Sequence, residues 1–114
     1  MQTVTDSIDI KTLKAMSEKM FGGLVKAVVD IEKGVMVVDA DMHADQEEFL
    51  LEEGSLQGNL WGINLFPEQW GTDKFIVFDS MINLRPSWGN RTRGVDDSIV
   101  QKKIREIVLR LVKP

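Results

Sequence analysis

Apolar residues at Ile10, Leu13, Met16, Met20 and Phe21 recur close to every 3.6 positions, which predicts an amphipathic helix beginning near Ser7. Ser7 or Asp9 is placed to cap its start, and Gly22-Gly23 to end it. The six residues before it carry no pattern and read as a frayed arm. The period then drops to two. Residues 24–44 (LVKAVVDIEKGVMVVDADMHA) are rich in Val and split by Lys33-Gly34, which predicts a β-hairpin. A two-residue loop there pairs Ile31 with Met36, Val29 with Val38, Ala27 with Ala40 and Val25 with Met42, so one face is wholly apolar. A three-residue loop sets Ala27 against Asp39 and Val25 against Asp41, so the two-residue loop is favoured. The other face then carries Lys26, Val28, Asp30, Val35, Val37, Asp39, Asp41 and His43, with Lys26 across from Asp41.

From Asp45 the segment DQEEFLLEEG predicts a short helix, with capping-box spacing between Asp45 and Glu48 and Gly54 at its end. LWGINLF reads as a strand stopped by Pro67, and FIVFDSMINLR as the longest strand, stopped by Pro86. The simplest core buries Trp61, Ile63 and Leu65 with Ile76, Phe78, Ile82 and Leu84. A turn-rich loop follows. A last helix starts near Asp96 to Ser98, with an apolar stripe of Val100, Ile104, Ile107, Val108 and Leu111. The order is α-β-β-α-β-β-α. It predicts a single α+β domain over residues 1–114, with a mainly antiparallel sheet of four strands and helices packed on one face. The other face would then expose Val28, Val35, Val37, Leu60, Phe66, Phe75 and Met81. Monomers rarely leave that much apolar surface open, so a homodimer or protein partner on that face is expected.

Composition narrows the chemistry. The chain has no Cys and one His, which excludes thiolate sites, disulfides and a multi-histidine metal centre within one chain. A net charge of -4 argues against general nucleic-acid binding, even though Trp61, Trp70 and Trp88 lie among arginines. No signal-peptide pattern and no membrane-spanning stretch is present, so a cytoplasmic protein without a membrane partner is expected. The chain carries no glycine-rich phosphate loop, no GxSxG, no HExxH and no Walker lysine. A Ser80, His43 and Asp79 set is set aside, because Ser80 falls on the expected core face. No cofactor is called for.

Two polar sets remain. Asp39, Asp41, His43 and Asp45 are of types that bind divalent metal, and His43 beside carboxylates suits a general base. The plainer reading is a solvent-facing strand edge in which Lys26 neutralises Asp41 and Asp45 caps a helix. The second set is Asn64, Asp79, Asn83, Arg85, Asn90, Arg91 and Arg93. Its arginines could bind a small carboxylate or phosphate through their planar donors. Its asparagines and aspartate stand where a strand usually carries apolar residues, so they could equally be satisfying one another.

The segments FGGLVKAVVDIEKG, HADQEE with LLEEGS, LWGINLFPE and FDSMINLRPSWGNRTRGVDD resemble an uncharacterised prokaryotic protein family, one of the domains of unknown function. The resemblance covers residues 21 to 97. It implies one self-contained domain and brings no substrate and no catalytic residue. Two functional readings stand: an interaction or scaffold domain associating through a sheet face, and a binder or enzyme for an anionic ligand. Convergence of His43, Asp79 and Arg91 in a cleft would favour the second, and a flat apolar sheet face the first.

Overall fold

The computed structural model describes residues 1–114. The chain is α+β, with three α-helices and a mainly antiparallel five-stranded sheet. Strands β1 (Gln2–Val4), β2 (Ile8–Asp9), β3 (Val25–Asp30) and β4 (Val35–Val38) belong to the first half, with helix α1 (Ile10–Ser17) between β2 and β3. Helix α2 (His43–Glu52), β5 (Leu60–Leu65), β6 (Ile76–Val77), α3 (Ser98–Leu111) and β7 (Val112–Lys113) complete it. The five-stranded sheet runs in the order β1-β4-β3-β5-β6, and β2 pairs in parallel with β7. Residues 1–6, expected as a frayed arm, are instead folded in part: Gln2–Val4 is an edge strand against β4, and Val4 is buried.

Local chemistry explains the helix starts. Asp9 Oδ1 accepts the Thr12 amide at 2.7 Å and caps α1, and Asp97 does the same for α3 through the Ile99 amide at 2.8 Å. Leu13 and Met16 of α1, and Ile104, Val108 and Leu111 of α3, pack on one sheet face. There they meet Val25, Ala27, Val29, Met36, Val38, Trp61, Ile63 and Leu65. The predicted inward set of β5 is therefore the core, joined by Ile76. Phe21 ends outside it, fully exposed beyond α1.

The first hairpin keeps the predicted faces but shifts by two residues. Val29 pairs with Met36 and Ala27 with Val38, so the loop has four residues, 31–34. Asp30 causes this. Its Oδ1 accepts the amides of both Glu32 and Lys33 at 2.9 Å, and its carbonyl accepts Gly34 N–H. The carboxylate thus mimics a turn of backbone and holds the wider loop.

Three other expectations change. β4 stops at Val38, because Asp39 takes a left-handed backbone (φ 66) and ion-pairs with Lys19 at 2.9 Å. The chain turns there, and His43 becomes the first residue of α2 rather than a strand residue. The N-cap of α2 is Met42 without a side-chain hydrogen bond, so Asp45 and Glu48 form no capping box. The long strand predicted for 75–85 is only two residues. Ser80 Oγ accepts the Ile82 amide at 3.3 Å and opens a 3₁₀ turn at Met81–Asn83. Side chains that bond their own backbone compete with a sheet ladder, and here they win.

The largest consequence concerns the second sheet face. Helix α2 lies across it, so only α1 and α3 share the first face. Val28, Val37, Leu50 and Leu60 form a smaller core under α2, with Phe49 and Ile82 beside them. Phe75 is buried in the main core. Of the residues expected on an open apolar face, Val28, Val37, Leu60 and Phe75 are thus buried, while Met81 stays exposed.

Candidate cleft at the start of helix α2

The site is built from four segments. β3 supplies Lys26, the start of α2 supplies Met42 and His43, β5 supplies Asn64, and residues 79–93 supply Asp79, Ser80 and Arg93. Together they line a cleft of about 270 Å³. Lys26 and Asn64 are register partners on adjacent strands, so both point to the α2 side of the sheet. Gln46, one turn along α2 from Met42, donates to the Lys26 carbonyl at 2.8 Å and holds the helix on the strand.

His43 is the most constrained member. The residue is only 8% exposed, and Nε2 lies 2.7 Å from the Ile63 carbonyl. A carbonyl can only accept, so Nε2 carries the proton and the neutral ring offers Nδ1 as an acceptor. Nδ1 has no hydrogen-bond partner in the chain, and His43 lines the cleft. Burial holds the imidazole pKa below its ordinary value of 6.5. The Ile63 bond opposes that, Lys26 reinforces it, and Asp79 and Arg93 act in opposite directions. His43 is therefore neutral at neutral pH.

Arg93 Nε pairs with Asp79 Oδ1 at 2.9 Å at the cleft rim, where both side chains are about half exposed. The Arg93 carbonyl accepts from Ser80 N–H at 2.9 Å and from Asn83 Nδ2 at 3.0 Å, so its backbone is fixed. Asn64 Nδ2 approaches the Asp79 carbonyl at 3.4 Å, while its Oδ1 is buried without a partner. Two cations face one carboxylate here, and the balance favours an anion.

The residues singled out from sequence divide clearly. Asn64, Asp79 and Arg93 line the cleft, and His43 joins them. Asn83 does not. It is fully buried, accepts Gly62 N–H at 2.8 Å and donates to Gly62 O at 2.9 Å, tying β5 to the 3₁₀ turn. Asn90 is also structural: it donates to the carbonyls of Asn83, Thr92 and Gly94 and accepts Asp96 N–H. Arg91 is exposed, with its amide on Asp96, and lies outside the cleft. Arg85 is buried elsewhere, beside Glu47 and Trp61. Asp39, Asp41, His43 and Asp45 do not converge, and no group of three or more acidic or His residues could hold a metal ion. Lys26 does not face Asp41, since β4 has ended before it.

Two contributors lie outside the polar set that the sequence marks for an anion. Lys26 faces Asn64 rather than the expected Asp41. Ser80 opens a 3₁₀ turn rather than facing the core from a strand. One sequence signal did point to the place: Gly62 in the middle of a strand marks close approach of another segment. A Cβ on Gly62 would lie 2.5 Å from Ser80 Cβ.

Fold and site define a small α+β protein with a polar cleft between a helix start and an outer sheet face. Residues 2–111 match the family described as "Protein of unknown function (DUF5674)", and the chain belongs to that family. No curated protein and no solved structure matches it. No helix is long and apolar enough to cross a membrane.

Proposed function

We propose that this protein binds a small anionic molecule, a carboxylate or phosphate, in the cleft between Lys26 and Arg93. One observation carries the reading: His43, Asp79 and Arg93, distant in sequence, line a single cleft. Lys26 supplies a point charge and Arg93 a planar donor set. His43 Nδ1 accepts a hydrogen bond from an O–H or N–H of the ligand, or removes a proton from it. Asp79 orients Arg93 and yields part of that pairing to the ligand.

A thermal-shift screen of phosphate, nucleotides and dicarboxylates tests this. An active anion should raise the melting temperature of the wild type and of Arg91→Ala, whose residue lies outside the cleft. The rise should be lost in Arg93→Ala and in Lys26→Met. Equal shifts in wild type and Arg93→Ala would sink the assignment, as would no shift with any anion.

A further inference from the structure

Arg85 is a cation that the fold buries and serves only in part. Its side chain is only 9% exposed. Nη2 donates to the Leu60 carbonyl at 2.6 Å and reaches Glu47 Oε2 at 3.4 Å. Nε and Nη1 are buried and have no partner at all. The indole nitrogen of Trp61 nearby is in the same condition. The guanidinium stacks near two rings, 4.9 Å from the Trp61 centroid and 5.8 Å from that of Trp88. Cation–π contact serves the faces of a guanidinium and leaves its edge donors unmet. Orphaned buried donors of a charged group are costly, so they call for an acceptor.

The place is also shaped. Gln57, Leu84, Arg85, Ser87 and Trp88 line a separate niche of about 290 Å³ that shares no residue with the first cleft. Its floor is rigid, because Arg85 and Asn90 exchange both backbone hydrogen bonds. Its wall is an exposed ring: Trp88 is 60% exposed and belongs to neither core cluster.

We propose that this niche is a second ligand site, which takes a planar carboxylate onto Arg85 under the Trp88 ring. A carboxylate matches in shape the Nε and Nη1 donors that Leu60 O and Glu47, both on Nη2, leave unmet. A phosphate dianion would lose more hydration among the tryptophans and leave charge uncompensated. The flat rings on either side favour an apolar or aromatic group attached to the carboxylate. Such a group belongs either to a free small molecule or to the end of a peptide chain.

The indole N–H resonances of Trp61 and Trp88 report on the site by NMR. Sodium benzoate should move both saturably, and benzamide at the same concentration should not. Arg85→Lys keeps the charge but loses the planar donors, and should weaken binding by roughly tenfold or more. Trp88→Ala, a change at an exposed position, should weaken binding while Trp61 still reports. Lys26→Met, which disables the first cleft, should leave benzoate binding intact. A short peptide with a free C-terminus, compared with its C-terminal amide, distinguishes the two sources; binding of benzoate or of the acid peptide alone supports the site. Equal response to benzamide, tighter binding of inorganic phosphate than of benzoate, unweakened binding by Arg85→Lys, or no response to any carboxylate would each overturn it.

Discussion

Asp30 is nearly inaccessible to solvent, and its carboxylate accepts three hydrogen bonds: the Glu32 and Lys33 amides, and Ser55 Oγ at 2.7 Å. It sets the loop of the first hairpin and ties that loop to the segment after α2. Asp30→Ala should cost about 3 kcal/mol in urea unfolding, since three donors lose a charged acceptor. Asp30→Asn keeps an acceptor for the turn and a group for Ser55 to meet, and should cost about 1 kcal/mol. Equal costs would show that the carboxylate charge, which both variants lose, decides rather than the neutral acceptor that Asn retains. His43 makes a second residue-level prediction. The unfolded chain protonates this histidine at its ordinary pKa of 6.5, and the folded chain only at lower pH. Between those values the unfolded state binds more protons, so stability falls as pH drops below about 6.5, by up to about 1.4 kcal/mol per pH unit. Above 6.5 the contribution is fully present. His43→Gln should flatten this slope, whereas the carboxylates of Asp9 and Asp96, with pKa values held below 3.8 by hydrogen bonds to Thr12 and Thr92, act in a more acidic window. An unchanged slope in His43→Gln would remove burial of the neutral ring as its cause.

At the scale of elements, β5 and the 79–83 segment are fitted to each other at one point. Asn83 bonds both backbone groups of Gly62, and Ser80 Cβ and Oγ occupy the space a side chain there would need. Gly62→Ala should therefore cost about 2 to 3 kcal/mol by overpacking. Ser80→Gly alone loses the cap of the 3₁₀ turn and should cost about 1 kcal/mol. The double variant should cost less than the two together by about 1 kcal/mol, because the residue that clashes is gone. Additive costs in that cycle would refute the contact. The same region shows what is legible in a sequence. α1 and α3 could be read from their 3.6-residue stripes, and the inward faces of β3, β4 and β5 from alternation. The shift of two in the first hairpin could not, since a period of two is unchanged by a shift of two; only the Asp30 side chain distinguishes the loops. The short β6 was hidden for a related reason. Phe75–Arg85 alternates well enough for a strand, but Ser80 and Asn83 spend the backbone on local and cross-segment bonds instead. Half of the cleft followed from the same rule. Asn64, Asp79, His43 and Arg93 stood out as residues, but their meeting depends on the left-handed turn at Asp39, which no periodicity signals.

For the molecule as a whole, the order β1-β4-β3-β5-β6 places the first residues of the chain at one sheet edge and β6 at the other. The pairing of β2 with β7 joins the start of α1 to the end of α3. Such long-range pairings leave no local pattern, which is why Gln2–Val4 read as an arm. Only its last residue is buried: Gln2 and Thr3 are exposed, and Val4 packs into the main core. β1 covers the outer edge of β4, which would otherwise present unpaired backbone to other chains. Val4→Asp should detach β1, at a cost of about 3 kcal/mol, combining the lost burial of a valine with a charge that must leave the core. Thr3→Asp, on the exposed side, should change stability little. Hydrogen exchange localises the effect. The β4 amides that face β1 should exchange faster in Val4→Asp, while those of β3, paired on both sides by β4 and β5, should keep the protection set by global unfolding. Uniform acceleration across β3 and β4 alike would mean that β1 is an integral part of the cooperative unit rather than an edge that opens by itself.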